Sequence, residues 1–342
     1  LLAWTPGGLP DGFAARVRQL RNVSRVTAVR GDLAQLRHTR DAAGERVDSA
    51  PDGFVVPLDV MAFDRSYPAF VPRSAEDEFR RLRSDEALLG STSASLRGVR
   101  GGATLHLTHG VVLQVVDVVD DSLIGGAELA VPARRGATPA WSIANRQRYL
   151  LVAYRGQRLA LERRIRAALP EGIAVRLRGP GETPFLRQGD AVLPQSAIKA
   201  RFGEFAYRPG PGRDVVQDPR WTAEHIVSAR VPILGQVRCH RALVPPLRSA
   251  LRELRQRNLT SVIDPAGYAG CHHPRLTSSR DQVSRHAWGV AVDVNYPDNP
   301  VGQASTQDPR LVEVMERWGF TWGGRWLVPD PAHFEYVRPS AP

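Results

Sequence analysis

Two histidines and two carboxylates stand where they can do chemistry. Ser284–Asp293 reads S-R-H-A-W-G-V-A-V-D, and forty residues after Asp293 comes His333, inside D-P-A-H-F-E at 330–335. Read as a strand, 290–295 alternates: Val290, Val292 and Val294 turn to the core, while Ala291, Asp293 and Asn295 turn to a cleft. His286 lies seven residues before Asp293, so a straight strand would set the two on opposite faces, and Gly289 supplies the bend that brings them together. The same alternation puts His333 and Glu335 on the cleft side and Phe334 and Tyr336 on the core side. Asp330 sits across a turn at Pro331. Two imidazoles and one carboxylate are the protein ligands of a catalytic zinc that keeps its fourth position for water. A further carboxylate, Asp330, supplies the general base that hydrolysis needs. Glu335 suits a partner that orients a ligand imidazole.

These residues need elements to hold them. Arg241–Arg257 carries Leu243, Leu247, Leu251 and Leu254 on one stripe and predicts an amphipathic helix. Asp308-Pro309 is an N-cap and first-turn pair. The helix that follows buries Val312, Met315 and Trp318 and stops at Gly319. G-P-G at 179–181 and P-G-P-G at 209–212 bracket a change of character near residue 198. The chain is 342 residues long, about twice a typical domain. We therefore expect an α+β protein of two domains, 1–197 and 198–342.

In the first of these, Asp11 is placed to cap a helix bearing Phe13, Val17 and Leu20, followed by strand-like V-S-R-V-T-A-V. A second unit runs from a strand at 148–154 through a helix marked by Leu159, Leu161, Ile165 and Leu169 to a strand at 173–177. Such units at both ends predict a split ferredoxin-like sandwich. Between them lies a β-rich insertion, clearest at 54–60, 111–119 and 127–132. No constellation of catalytic type precedes residue 200.

The formal charge is +11, which fits acidic partners such as nucleic acid, anionic lipid or wall polymer. It fits equally a bias toward arginine, because Lys199 is the only lysine and the arginines are spread along the whole chain. No stretch interleaves basic and aromatic residues as a single-strand nucleic-acid binder does, so no nucleic-acid partner is expected. No run of eighteen apolar residues occurs. The sequence opens at Leu1-Leu2 without an initiator Met, which leaves room for a signal peptide or membrane anchor ahead of it. Cys239 and Cys271 are either a buried thiol pair or a disulfide. We favour the disulfide, which would contribute roughly 3–4 kcal/mol in the chain-entropy model and would place the protein outside the cytoplasm.

S-x-H-x-x-G-x-A-x-D, then G-F-T-W-G-G-R-W at 319–326 and D-x-x-H-F-E, closely resembles the D-alanyl-D-alanine carboxypeptidase family of zinc peptidases. That family includes VanY-type carboxypeptidases and phage-type L-alanyl-D-glutamate endopeptidases, and it shares its fold with the hedgehog signalling domain. The resemblance spans roughly residues 200–340. It implies a zinc domain with an antiparallel sheet, with His286, Asp293 and His333 as zinc ligands and Asp330 as the base. It implies a peptidoglycan stem peptide as substrate, and a cell-envelope location, secreted or membrane-anchored. An arginine upstream steadies substrate and oxyanion in the family. Ala269 stands where it would be in G-Y-A-G-C-H-H-P-R (267–275), and Arg275 is the substitute. Ser284 either hydrogen-bonds substrate or caps its turn. His272 and His273 belong to the rim or have no role, and Trp288, Trp322 and Trp326 belong to core and cleft wall. Residues 1–197 resemble the extracytoplasmic domains of bacterial ABC-permease-like proteins, and we expect them to dock a protein partner, localise or regulate. A non-catalytic wall-binding or signalling module is the competing reading. Retention of Asp330 beside all three ligands weighs against it.

Overall fold

The structure, a computed structural model, describes residues 1–133, 147–182, 189–190, 193–280 and 282–337. It divides into two compact units: Leu1–Gly189 with Pro194–Ala200, and Asp190–Leu193 with Arg201–Pro342.

The first unit begins β1 (Leu2–Trp4), α1 (Phe13–Arg18), β2 (Val23–Arg40), β3 (Arg46–Ser49) and β4 (Val56–Phe63). It continues α2 (Glu76–Arg81), β5 (Glu86–Gly90), α3 (Ser91–Arg97), β6 (Thr104–Leu107), β7 (Val112–Val119) and β8 (Leu129–Pro132). Last come β9 (Gln147–Tyr154), α4 (Arg158–Ala167) and β10 (Arg176–Arg178). The strands join in one sheet in the order β10-β1-β9-β2-β4-β8-β5-β7-β6, with β3 beside β2. The two strand–helix–strand units legible in the sequence lie side by side as β10-β1-β9-β2, each neighbour antiparallel. Phe13 and Val17 of α1 and Leu161 and Ile165 of α4, each pair four apart and so on one helix face, bury against Ala3, Val26, Leu150, Val152 and Leu177 of these strands. Asp11 does not cap α1. The residue before the helix is Gly12, left-handed at φ 73 with no side-chain cap, because Pro10–Phe13 closes as a turn ahead of it.

A buried ion pair anchors α5 (Gln195–Phe202) in this unit. Lys199 Nζ lies 2.8 Å from Glu128 Oε1, and both side chains are wholly buried. The other carboxylate oxygen accepts from Asp59 N at 3.0 Å and Gln195 Nε2 at 2.8 Å, so the charge is fully hydrogen-bonded.

The second unit runs β11 (Tyr207–Pro209), β12 (Val215–Gln217), α6 (Pro219–His225), β13 (Ile226–Val231), β14 (Gly235–His240) and α7 (Val244–Gln256). It ends β15 (Ala291–Asp293), α8 (Pro309–Arg317), β16 (Phe320–Trp322) and β17 (His333–Tyr336). Leu247, Leu251 and Leu254 of α7 and Leu311, Val314 and Met315 of α8 form its helical core. Asp308 caps α8 as its sequence requires, accepting from Arg310 N at 2.8 Å. Three small sheets, β11-β12, β13-β14 and β15-β17-β16, are all antiparallel. Among the described residues no helix is long and apolar enough to cross a membrane.

Candidate metal centre

The register of β15 against β17 sets Asp293 opposite His333 and Ala291 opposite Glu335. Directly opposed residues hold their Cβ atoms about 5 Å apart on one face, so sheet geometry alone delivers a carboxylate to an imidazole. β15 is shorter than the sequence pattern suggests. Asn295 does not face the cleft: it turns left-handed at φ 53, accepts from Asp264 N at 2.8 Å and donates to Val262 O at 2.9 Å. A short polar side chain tolerates that conformation and here ties down the neighbouring loop instead.

His286 arrives by a one-turn 3-10 helix, Arg285–Trp288. Ser284 caps it, its hydroxyl accepting from His286 N at 3.3 Å, and Gly289 ends it left-handed at φ 65. A Cβ on Gly289 would stand 2.7 Å from His240 N, so only glycine permits both the turn and the close approach. The reversal carries the His286 ring back over Asp293.

Three donor groups converge, both oxygens of Asp293 among them. His286 Nε2 is 3.2 Å from His333 Nδ1 and 3.2 Å from Asp293 Oδ2, and His333 Nδ1 is 2.9 Å from Asp293 Oδ1. All three residues are buried. A tetrahedral zinc with bonds of 2.0–2.1 Å spaces its ligand atoms about 3.3 Å apart, so the cluster has the dimensions and the N/O chemistry of such a site. The outer ring nitrogens agree. His286 Nδ1–H donates to Cys271 O at 2.9 Å, and His333 Nε2, without a hydrogen-bond partner among the described residues, faces Glu335 Oε1 at 3.6 Å. Each ring is thus held with one nitrogen toward an acceptor and the other toward the centre, the arrangement that orients metal-ligating histidines. Arg285 Nε stands 3.7 Å from the same Glu335 oxygen.

The electrostatics point the same way. Burial pushes Asp293 up, but hydrogen bonds from His286 and His333 outweigh it and hold the carboxyl well below the usual range. Burial opposes charge on His333, but the Asp293 hydrogen bond and the Glu335 carboxylate outweigh it and raise the imidazole. The cluster therefore stabilises positive charge at its middle.

Asp330 lies beside the cluster. Its pKa is raised, by burial first, with Asp293 adding to the rise and His333, His286 and Arg275 opposing it. Gly323 lets its loop fold onto this residue: a Cβ there would meet Asp330 O at 2.6 Å and His333 Cβ at 3.3 Å. Arg275 is half-buried, its carbonyl accepts from Ser284 N at 3.0 Å, and its charge is felt by Asp330. Trp326 walls the site with its ring 5.2 Å from that of His333, whereas Trp288 is fully buried core against Phe205. Trp322 donates to Pro331 O at 2.8 Å and steadies the turn before His333.

Cys239 and Cys271 form a disulfide, 32 residues apart in sequence. His272 is a fixed part of the wall rather than a ligand, accepting from Arg238 at Nδ1 (2.8 Å) and donating from Nε2 to Gln217 (2.7 Å). Burial, with Arg238 adding, lowers its pKa to about 4. His273 stands exposed, 3.6 Å from Asp214. Sequence reasoning missed Cys271 O, Arg285, Gln217 and Tyr268, whose phenol pKa is raised to about 12 by burial and the charge of Asp293. A main-chain carbonyl leaves no residue-type signal, but Tyr268 stood in the G-Y-A-G string.

Comparison with known proteins bears on this unit. Residues 277–336 match the family model described as D-alanyl-D-alanine carboxypeptidase, a stretch that holds Ser284, His286, Asp293, Asp330, His333 and Glu335 and begins after Arg275. No match was found among curated proteins. Solved structures similar to the chain include the periplasmic region of MacB from Actinobacillus actinomycetemcomitans (11% identity, 51% of this chain and 86% of that one, TM-score 0.33). Others are the extracellular domain of a noncanonic ABC-type transporter, YknZ, from Gram-positive bacteria (9%, 52% and 99%, 0.33) and a domain of a putative permease protein from Porphyromonas gingivalis (15%, 56% and 92%, 0.32). At these TM-scores the likenesses carry no inference about this chain. The sequence match is confined to the segment that builds the His–Asp–His cluster, and it supports a peptidase of the D-alanyl-D-alanine carboxypeptidase type.

Proposed function

We propose that residues 198–342 are a zinc-dependent peptidase that hydrolyses peptide bonds of bacterial peptidoglycan stem peptides, as a D-Ala-D-Ala carboxypeptidase or an L-Ala-D-Glu-type endopeptidase. The observation that carries this is the convergence of His286 Nε2, Asp293 and His333 Nδ1 within 2.9–3.2 Å, with a half-buried carboxyl at Asp330 beside them, inside the segment that matches the family model. His286, Asp293 and His333 would hold the metal. Bound there, zinc supplies Lewis acidity that polarises a carbonyl and makes water a nucleophile near neutral pH. Asp330 takes the proton of the attacking water and returns it to the departing amine, a task suited to a carboxyl whose pKa is already raised. Arg275 steadies the developing oxyanion with its charge. Glu335 and the Cys271 carbonyl keep the two imidazoles aimed inward. Ser284 serves the site through its hydroxyl, which caps the turn that presents His286.

The disulfide supports a cell-envelope location, since such bonds persist in oxidising compartments. A secreted or membrane-anchored form would meet its substrate there. Residues 1–197, with no comparable cluster among those described, would dock a protein partner, localise or regulate. We further propose that the zinc domain shares the fold of these peptidases and of the hedgehog signalling domain. Digestion of purified muropeptides with and without a chelator, with fragments identified by mass, tests the reading. Free D-alanine means carboxypeptidase and an internal cut means endopeptidase. Absence of any metal-dependent product would leave a non-catalytic wall-binding module.

A further inference from the structure

We infer that the Cys239–Cys271 disulfide is a positioning device of the metal centre, acting through the five-residue segment Ala269–His273. The inference rests on reading the His–Asp–His cluster as a metal site. Two of the three ligand-bearing residues are aligned by that one segment. Ala269 N donates to Asp293 O at 3.0 Å and Asp293 N to Gly270 O at 3.1 Å. His286 Nδ1–H donates to Cys271 O at 2.9 Å, and His273 N donates to His286 O at 2.9 Å. The first pair of bonds sets the height of Asp293, and the second pair sets the place and ring rotation of His286.

Apart from the single antiparallel bridge Gly270–Asp293 the segment lies in no strand, so its position depends on further ties. It is tied to β14 at consecutive residues. Cys271 is bonded to Cys239, with Cα atoms 5.2 Å apart, and His272 N donates to Arg238 O at 3.0 Å. The His272 ring is gripped between Arg238 and Gln217. Of these ties only the disulfide is covalent, and it attaches to the very residue whose carbonyl orients His286. Both cysteines are buried, at 0% and 2% exposure, so the bond is not presented to solvent as an exchangeable thiol pair would be. A ligand set has to be held to about half an ångström, and groups that orient ligand imidazoles typically change metal affinity ten- to a hundredfold when lost.

The test is zinc affinity, measured by competition with a chromophoric chelator, alongside the visible spectrum of the Co(II)-loaded protein. Cys239→Ala/Cys271→Ala is compared with Leu251→Ala, which loosens the core of the same unit from helix α7. We expect the cysteine pair to weaken zinc binding roughly ten- to a hundredfold and to alter the ligand-field bands, while Leu251→Ala lowers stability and leaves both unchanged. Equal effects from the two variants, or no change in the cysteine pair, would overturn the inference. Should the alanine pair not fold, wild-type protein reduced by a phosphine gives the second reading. The phosphine gains an oxygen from water as the two sulfurs become thiols, and after desalting the ligand-field bands report the site while thiolate charge-transfer bands reveal any metal captured by the freed thiols. An unchanged His–Asp–His spectrum in that sample would refute it. No arm uses hydrolysis. Wild type that binds zinc yet cleaves nothing sinks only the peptidase reading, whereas wild type that binds no zinc sinks both.

Discussion

His240 should make the second unit acid-sensitive, and the structure sets the size of the effect. The side chain is only 4% exposed, and both ring nitrogens are committed. Nε2–H donates to Phe202 O at 3.0 Å, while Nδ1 accepts from Ala242 N at 3.1 Å. A second proton would have to sit on Nδ1, facing an N–H. Burial lowers the pKa to about 4, against about 6.5 for an exposed histidine. The folded form thus binds its proton later than the unfolded form as pH falls. The stability this neutral histidine confers is complete above pH 6.5, declines between 6.5 and 4, and is flat below. The full window corresponds to about 2.5 pH units, or about 3.4 kcal/mol, and the loss reached by pH 5 is about 2 kcal/mol. Urea unfolding followed by tryptophan fluorescence at pH 7, 6, 5 and 4.5 reads this directly. His272 titrates over the same range, so the comparison is with His240→Gln, which should be less stable at pH 7 but lose about 2 kcal/mol less between pH 7 and 5. Parallel curves for the two proteins would refute the assignment.

Three further outcomes follow from the site and its scaffold. Asp330→Asn should retain zinc and lower kcat by about a hundredfold or more. Because the base must be ionised, kcat/KM of the wild type should show an acid limb that disappears in the variant. Glu335→Gln removes the carboxylate 3.6 Å from His333 Nε2, and chelator competition should show zinc affinity down roughly ten- to a hundredfold. Lys199→Met strands the buried Glu128 carboxylate and should destabilise the first unit by about 3–5 kcal/mol, most of which Lys199→Met/Glu128→Gln should restore in thermal unfolding.

The readable parts of this chain were those fixed by local chemistry. Asp308-Pro309 announces α8, the leucine stripe announces α7, and alternation around Asp293 and His333 gives the faces of β15 and β17 correctly. Gly289 was legible as the bend because a left-handed turn there admits little else. What stayed hidden depends on partners distant in sequence. β2 runs unbroken from Val23 to Arg40 because it pairs in turn with β9, β4 and β6, and no local pattern encodes that succession. Asn295 looked like a cleft residue by alternation, yet hydrogen bonds to Asp264, Val262 and Gln307 draw it out of the strand. The carbonyl of Cys271 and the pairing of Arg285 with Glu335 arise only once three segments meet. The oxyanion arginine has no matching position in the family string: Arg275 acts electrostatically on Asp330 but lies outside the matched segment.

The central claim is that His286, Asp293 and His333 hold one catalytic metal. Anomalous diffraction at the zinc edge from crystals of the zinc-loaded protein tests it most directly. A single peak per chain is expected, ligated by His286 Nε2, an Asp293 carboxylate oxygen and His333 Nδ1, with His333 Nε2 still turned to Glu335. A peak on His272 or His273 instead, ligation through His333 Nε2, or no bound zinc would contradict it.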